Sequence, residues 1–430
     1  MLFNSCESVV NNKETPDETK IGANAGDDQT TYVGSYVVFD ISKSIIKEPI
    51  DIIEWIQDLN NPQEVSLFAP SLKEKSVTGF EKEGIYKFTL SIQCKGGVVY
   101  TDSVVITVKP RQVSLIKDLF LEARIRLRLN YKEGDLNADK LQMLDTLPYP
   151  EFYIKNYKIK NISGVEYCTN IAYLPLPGES ITDLKPLSNL TKLEVLDLNQ
   201  NYTVEDITPI HNLINLKKLT LYSNPIKDIS VLGNLTKLTE LYLMYTPISD
   251  IGALKNLVNL EILYLDCSGM GVILNSIDPL AYLTKLRHLY LCAAGITNIK
   301  PLENLTELVL LNLSFNNLTD ISPVSKLTKL IRLYVGFNKI ENLNGIKNLE
   351  NLDYLDAMNN QIKDISELQY LQKIHLIGLD GNKIEDITPI VNNHYLNQGV
   401  FLYLKNNPLN DKTLNEYIPA LIARGITVYW

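Results

Sequence analysis

The sequence predicts an α/β solenoid of short repeats, with a parallel β-sheet on its concave face and 3₁₀ turns on its convex face, preceded by a small all-β sandwich. Two observations carry this prediction. A hydrophobic motif returns about every 22 residues from Ile171 to the end of the 430-residue chain. In the first hundred residues, apolar and polar side chains instead alternate with a period of two, as they do in half-buried strands.

The repeated motif is L-x-x-L-x-L-x-x-N, as in Leu308, Leu311, Leu313 and Asn316. Its eleven copies begin at residues 171, 193, 216, 238, 260, 286, 308, 330, 352, 374 and 399. This spacing indicates a leucine-rich repeat array, in which leucines of successive copies share one continuous core. We expect the asparagine to turn inward and satisfy backbone groups of neighbouring turns. Strands stacked about 4.8 Å apart then form a concave sheet with one open face.

The rest of the chain is assigned from composition and pattern. The assignments are a flexible tether at 1–20, a β-sandwich at 21–110, a helical N-terminal cap at 111–148, the repeats at 149–408 and a C-terminal cap at 409–430. The N-terminal cap rests on a helical stretch from Leu115 to Leu129 and a second one reaching about Leu147. The C-terminal cap rests on a helix that ends at the stop signal Gly425, before a final strand.

Composition excludes several classes of function. With 41 basic and 50 acidic residues the formal net charge is −9, which argues against nucleic acid as a partner. No stretch approaches 18 uninterrupted apolar residues, so we expect no transmembrane span. Nucleotide-binding, zinc-protease and serine-hydrolase motifs are missing from the sequence, so we expect no enzyme and no cofactor. We also expect no bound metal, because turn capping is a commoner role than calcium binding for Asp27, Asp28, Asp40 and Asp102.

The third, fifth, seventh and eighth residues of each copy are predicted to face the open side of the sheet. Ring-bearing side chains concentrate at these positions, and the predicted ligand-binding residues are Tyr222, Tyr242, Tyr245, Tyr264, His288, Tyr290, Phe315, Tyr334, Phe337 and Tyr354. Tyr242, Tyr264 and Tyr290 fall on consecutive strands, so their rings can form a ladder. Exposed aromatic area is typical of binding surfaces, whereas the alternative is that these cross-strand pairs only stabilise the sheet.

The middle of the array departs from its own motif. Thr246, Ser268 and Ala294 interrupt the row of asparagines, and a four-residue insertion around 269–272 falls in the same place. Such insertions often become loops on a binding face, and simple repeat drift is the alternative. Cys267 and Cys292 occupy adjacent copies, and the sequence leaves open whether they are bridged.

Two resemblances follow from these motifs. The segments 25–30, 34–40, 84–86 and 101–104 (AGDDQT, GSYVVFD, GIY and TDSV) resemble a PKD-type immunoglobulin-like domain. The N-L-T-x-L and D-I-S-P copies, with the closing N-P-L at 407–409, resemble the 22-residue repeats of bacterial internalins. Internalins typically place any immunoglobulin-like module after the repeats, whereas this chain places one before them.

The internalin resemblance implies a secreted or bacterial cell-surface binding protein, adhesin-like, that recognises a macromolecule through its concave face. We expect the partner to be a protein or glycan on another cell or surface, and the chain to be a monomer. Cys6 follows Met-Leu-Phe-Asn-Ser and precedes a polar stretch, so it resembles the end of a bacterial lipoprotein signal whose hydrophobic part is missing. The alternative is a cysteine without a special role in a disordered tail. A structural stalk, or a surface protein that associates only with itself, is the alternative function.

Overall fold

A computed structural model describes residues 9–11, 21–65, 67, 75–149 and 158–430 of the chain. The chain divides into two compact units, the first ending at Ile171 and the second beginning at Ala172. Cys6 and most of the segment predicted as a tether lie outside the described residues. Within that segment, Val9–Asn11 forms a strand, β1. No helix in the described part of the chain is long and apolar enough to cross a membrane.

The first unit begins with an all-β module of two sheets. Its other strands are β2 (Gln29–Tyr32), β3 (Tyr36–Asp40), β4 (Ile50–Gln57), β5 (Lys75–Gly79), β6 (Gly84–Cys94) and β7 (Val99–Lys109). The larger sheet has the order β1–β7–β6–β4, with β2 also paired to β7, and the smaller sheet pairs β3 with β5. Strands β6 and β7 form the hairpin that the alternating pattern predicts.

The two sheets share one apolar core. The alternating residues of β6 point into it, and Tyr86, Phe88 and Leu90 are almost completely buried. Phe39, from the smaller sheet, packs edge-on against Phe88 and against Trp55 of the larger sheet, with ring centroids 5.2 Å and 5.0 Å apart. Residues from both sheets therefore close a single sandwich core, as predicted.

Two helices follow the sandwich in the first unit, α1 (Leu119–Arg128) and α2 (Ala138–Leu141). The second is much shorter than the helix predicted to reach about Leu147. Beyond α2 the chain turns, and the Asp145 side chain accepts a hydrogen bond from Arg128. Leu147 precedes a proline, which disfavours helical backbone at that residue.

The second unit is the predicted repeat solenoid, built on a parallel sheet of twelve strands in sequence order. The strands are β8 (Tyr173–Pro175), β9 (Val195–Asp197), β10 (Lys218–Thr220), β11 (Glu240–Tyr242), β12 (Ile262–Asp266), β13 (His288–Cys292), β14 (Leu310–Asn312), β15 (Arg332–Tyr334), β16 (Tyr354–Asp356), β17 (Leu376–Gly378), β18 (Phe401–Tyr403) and β19 (Thr427–Tyr429). Each strand is only three to five residues long, and each pairs in register with the strand one copy away.

The return segments of the copies form the predicted 3₁₀ turns, with one α-helical turn. The 3₁₀ turns are Val165–Tyr167 in the first unit and, in the second, Lys185–Leu187, Thr208–Asn212, Ser230–Asn234, Gly252–Asn256, Asp278–Tyr282, Lys300–Leu302, Ser322–Lys326, Ile346–Asn348 and Ser366–Tyr370, and the helical turn is α3 (Thr388–Asn392). Leucines at the fourth and sixth positions, such as Leu311 and Leu313, are fully buried between the strands and these turns. The repeat spacing alone therefore generates the core.

The asparagines of the motif turn inward as expected. The Asn338 amide donates to the Leu313 and Val335 carbonyls, each at 3.0 Å, and its Oδ1 accepts from the Leu318 N–H at 2.9 Å. One side chain thus joins backbone groups of two copies that could not otherwise be satisfied inside the core.

The C-terminal end of the array is a helix followed by the last strand. A π-helical turn, Thr413–Tyr417, continues into α4 (Ile418–Ala423). Gly425 ends the helix in the left-handed conformation, φ +85°, as its predicted role as a stop signal requires. The Arg424 guanidinium donates to three backbone carbonyls of the preceding copy, so the helix is tied to the array.

Candidate binding surface

The fifth residues of successive copies form one row across the open face of the sheet, because every strand pairs in register. In this row Tyr242, Tyr264 and Tyr290 are direct neighbours on β11, β12 and β13. Tyr242 and Tyr264 lie with ring centroids 5.1 Å apart, and Tyr264 stacks on Tyr290 at 4.0 Å with an interplanar angle of 16°. The ladder foreseen from the sequence is present, and we call these three residues the tyrosine ladder.

The first ring of the tyrosine ladder is fixed by polar neighbours. The Tyr242 hydroxyl donates to Glu240 Oε2 at 3.0 Å, and Lys218 pairs with the same carboxylate at 2.8 Å. The Lys218 ammonium also lies over the Tyr242 ring, 5.2 Å from its centroid. Burial, followed by the bond to Glu240, raises the pKa of Tyr242, while burial and a bond with Tyr264 raise the pKa of Tyr290 to about 12. The hydroxyls of Tyr242 and Tyr290 are therefore neutral at physiological pH, and the ring contacts hold the ladder in place.

Further along the same face a second aromatic group is centred on Tyr334 and Tyr354, whose rings are tilted with centroids 4.9 Å apart. Tyr403 stacks on Tyr429 at 4.7 Å in the last two strands. Burial is the main reason why the pKa values of Tyr334 and Tyr354 are raised. His288, on the same strand as Tyr290, is half-buried, and burial and then Arg287 lower its pKa, so its ring is neutral near pH 7.

Three of the predicted residues lie in a different environment. Tyr245, Phe315 and Phe337 occupy the eighth position, where each strand ends in a turn, and their backbones are left-handed, with φ of 54°, 61° and 58°. They are 44%, 55% and 47% exposed, and Phe315 stacks on Phe337 at 4.3 Å. They therefore form a separate apolar edge where the strands end, which we call the strand-end edge. Tyr222, at the seventh position, is half-buried.

The irregular middle copies have local structural substitutes for the missing asparagines. Thr246 donates its hydroxyl to the Leu243 carbonyl, and the insertion turns through Gly269 and Gly271, both left-handed. Cys267 and Cys292 are buried free thiols, so the structure holds no bridge between them. Burial raises their pKa values to about 11 and about 12, which keeps both protonated.

Two acidic residues of the sandwich accept hydrogen bonds from backbone N–H groups of distant segments. Asp102 Oδ2 accepts from the Ala25 N–H at 2.8 Å, and Asp28 Oδ1 accepts from the Val105 N–H at 2.7 Å. Among the residues that the structure describes, no group of three or more His, Cys, Asp or Glu side chains could hold a metal ion.

Residues outside the predicted set also line the open face. Lys218 and Glu240 fix Tyr242, while Asp356 and Tyr403 extend the row beyond Tyr334. All four sit at third or fifth positions, so the repeat register could have identified them. Selecting by aromatic character left out the charged ones.

Known proteins share this architecture. A family model for leucine-rich repeats in two copies matches residues 214–256 and 306–348. No curated protein sequence gives a significant match. Among solved structures, a leucine-rich repeat protein of Leptospira interrogans is 22% identical with a TM-score of 0.61, covering 76% of this chain and 83% of that one. The functional domain of InlJ from Listeria monocytogenes is 20% identical with a TM-score of 0.54, covering 67% of this chain and 64% of that one. These two likenesses show the fold.

A stronger likeness is to an internalin, InlF, of Listeria monocytogenes. The two chains are 33% identical with a TM-score of 0.66, over 74% of this chain and 92% of that internalin. Identity at this level across nearly the whole of a relative goes beyond a shared fold. The chain belongs to the internalin family of leucine-rich repeat proteins.

Proposed function

We propose that the chain is an extracellular binding protein, adhesin-like, whose concave face recognises a protein on another cell or surface. The tyrosine ladder carries the proposal. Its three rings are held in fixed orientations by one another and by Glu240, so a partner would bind them without a large loss of side-chain entropy. Tyrosine is also among the residues that dominate binding energies at protein interfaces.

The family membership supports the rest of the proposal. A secreted or bacterial cell-surface location agrees with an internalin-like protein. A PKD-type identity for the sandwich and a lipid anchor at Cys6 are further parts of the proposal and rest on the sequence alone. A glycan is the other partner class for the same surface, because flat aromatic rings also stack on sugars. In all these cases the protein works as a binding scaffold rather than as an enzyme.

One observation favours the alternative of a structural stalk. The tyrosine rings already contact each other, at 4.0 Å between Tyr264 and Tyr290, so they stabilise the sheet whatever else they do. Cross-strand pairs contribute roughly 0.2–1 kcal/mol each. The two proposed functions predict different effects of removing the rings. A binding protein loses its ligand, whereas a stalk has no heterologous ligand to lose.

The test replaces Tyr242, Tyr264 and Tyr290 with alanine. Loss of two ring contacts is expected to destabilise the array by up to about 2 kcal/mol, which lowers its melting temperature by roughly 4–8 °C and leaves it folded. Binding should fall much further, because truncating an aromatic anchor near an interface centre typically loses about 2 kcal/mol or more per residue. The measurement is quantitative capture of surface-biotinylated cell proteins, with circular dichroism to verify folding.

The matched control replaces Lys227 and Lys363, which are exposed on the turns away from the ladder. This variant should melt and bind like the parent. If the triple alanine variant captures the same protein as the parent, the binding site is not the ladder. If the parent captures only further copies of itself, the stalk reading is correct.

A further inference from the structure

Large apolar side chains follow one another along the strand-end edge in the middle of the array. In the copies that begin at residues 238, 308 and 330 the eighth position carries a ring, namely Tyr245, Phe315 and Phe337. In the two copies between the first and second of these rings, the same position holds a small residue, Cys267 and Ala293. The four-residue insertion falls in the copy of Cys267, so the chain adds side chains where the row of rings is broken.

Two residues of the loop that contains the insertion fill this break. The Met270 N–H donates to the Cys267 carbonyl at 3.1 Å, which holds Met270 at the strand end of its own copy. Ile273 reaches the next copy, because a Cβ added to Gly295 would lie 2.5 Å from Ile273 Cγ2. Both side chains are exposed. We use the name apolar stripe for five residues, Tyr245, Met270, Ile273, Phe315 and Phe337.

The apolar stripe is long and narrow. It spans five copies, which at about 4.8 Å per strand gives a length of about 19 Å. Its five members together expose roughly 500 Å², taking about 200 Å² for each large apolar residue. A stable interface between two folded proteins needs about 800 Å² on each partner. The stripe by itself is therefore too small to hold a second copy of the chain, and its shape fits a single segment of a partner.

The backbone beneath the stripe disfavours an extended peptide as that segment. The N–H groups of Tyr245, Phe315 and Phe337 already donate to carbonyls of the next copy, at 2.8, 3.0 and 2.8 Å. They are not available to pair with an added strand.

The spacing of the copies favours a helix. Side chains on one face of an extended strand lie about 6.7 Å apart, out of step with copies that stack about 4.8 Å apart. The rings of Phe315 and Phe337 follow the shorter spacing, with centroids 4.3 Å apart. On one face of an α-helix, residues three and four apart recur about every 5 Å along the axis. A helix can therefore set its apolar side chains between successive copies along the whole stripe.

We propose that the apolar stripe binds one amphipathic helix of the partner protein, about 13 residues long, through the apolar face of that helix. No charged residue stands at the eighth position in these five copies, so the helix face that meets the stripe is uncharged. The assignment rests on the proposed function, because the stripe adjoins the open face. It names the part of the partner that contacts the ends of the strands.

The experiment uses the full chain and a fluorescein-labelled peptide of about 15 residues, with leucines on one helical face and glutamine, lysine and glutamate elsewhere. The reference peptide has the same composition, with its leucines scattered around the helix. Fluorescence anisotropy measures binding, and circular dichroism measures the helix that the peptide gains. The chain should bind the one-faced peptide at least tenfold more tightly than the reference, and the bound peptide should be helical.

The stripe variant is Phe315→Asn/Phe337→Asn, which removes two neighbouring rings. It should weaken binding of the one-faced peptide at least tenfold. It should also fold, because Asn359 fills the same position in the next copy with a left-handed backbone, φ 52°. Ile273→Ser removes the side chain that bridges the break and should weaken binding several-fold.

The matched control is Ile214→Thr/Val258→Thr. It removes two exposed apolar side chains that precede the strands of their copies, on the opposite edge of the sheet. Thr236 stands at the same position in the copy between them, so the control should fold and should bind the peptide like the parent.

Equal binding of the two peptides, or equal losses in the stripe variant and the control, would show only general attraction to apolar peptides and would overturn the proposal. A bound peptide that gains no helix would overturn the helical partner. A dimer in sedimentation that the stripe variant abolishes would assign the stripe to a second copy and overturn a heterologous partner.

The alanine variant of the tyrosine ladder separates this inference from the proposed function. It should bind the one-faced peptide like the parent, because the ladder lies in the fifth-position row. If the chain does not bind the peptide while the ladder variant still loses its captured cell protein, the stripe inference fails and the proposed function stands. If the ladder variant captures that protein like the parent while the stripe variant alone loses the peptide, the ladder proposal fails and the stripe stands.

Discussion

Two asparagines of the repeat motif make a matched pair for testing how the ladder of buried amides stabilises the array. Asn338 and Asn224 are both buried, and each donates to backbone carbonyls of its own copy and of the preceding one. They differ at the acceptor. Oδ1 of Asn338 accepts from the Leu318 N–H at 2.9 Å, whereas Oδ1 of Asn224 has no hydrogen-bond partner among the residues that the structure describes.

The difference has a local cause in the preceding copy. The copy that starts at Leu193 has one extra residue, and Tyr202 takes a left-handed conformation, φ 57°, where this residue is accommodated. The backbone N–H that would meet the Asn224 amide is displaced. Substituting alanine at 338 therefore leaves a buried N–H without a partner, and alanine at 224 does not.

The expected result follows from the free energy of an unsatisfied buried donor, about 1–3 kcal/mol. Asn338→Ala should destabilise the array by that amount more than Asn224→Ala, and its melting temperature should be lower by about 2 °C or more for each kcal/mol. Thermal and urea unfolding followed by far-ultraviolet circular dichroism measure both variants. If Asn224→Ala is as damaging as Asn338→Ala, the acceptor bond contributes nothing, and the bonds to the carbonyls alone explain how these asparagines stabilise the array.

Two further predictions concern the aromatic side chains. The free energy of unfolding of Phe337→Gly should exceed that of Phe337→Ala by about 1 kcal/mol. Both variants lose the stack with Phe315, but only glycine adopts the left-handed backbone at this position without strain. A lower melting temperature for the glycine variant would contradict this account. Absorbance at 295 nm should show a phenol that ionises near pH 12 and vanishes in Tyr290→Phe. Since the folded state raises this pKa, the tyrosine contributes stability that is lost as the pH rises from about 10 towards 12. If the ionisation that Tyr290→Phe removes instead occurs near pH 10, the Tyr290 ring is exposed to solvent.

The repeat framework could be predicted from the sequence because it depends only on spacing. Leucines such as Leu311 and Leu313 recur at fixed intervals, and no distant residue has to be known to place them in the core. The tyrosine ladder followed for the same reason, since three fifth-position residues on consecutive strands must be neighbours. The sequence shows where the irregular middle copies lie but not which structure they adopt. That Cys267 and Cys292 are free thiols is seen only in the structure.

Features that depend on the shape of neighbouring copies could not be predicted. The acceptor bond of a motif asparagine is one example, because Oδ1 of Asn338 meets the Leu318 N–H of the preceding copy, whereas Oδ1 of Asn224 meets no equivalent donor among the described residues. The early end of α2 at Leu141 is likewise not marked in the sequence pattern. Periodicity identifies which face a residue occupies, whereas its reach and its partners depend on side chains of the adjacent copies.

The strand-end edge gives the strongest reason to regard the open side as functional. The tyrosine ladder stabilises its own sheet, so its presence is explained in part by folding. Phe315 and Phe337 stand where the backbone is left-handed, which disfavours a bulky residue by roughly 1–2 kcal/mol, and about half of each side chain remains exposed. Asn359 and Gly381 fill the equivalent position in the next two copies, as the backbone prefers. Large apolar rings at a position that suits glycine or asparagine are better explained by contact with a partner than by folding, so the surface that binds should extend from the ladder to this edge.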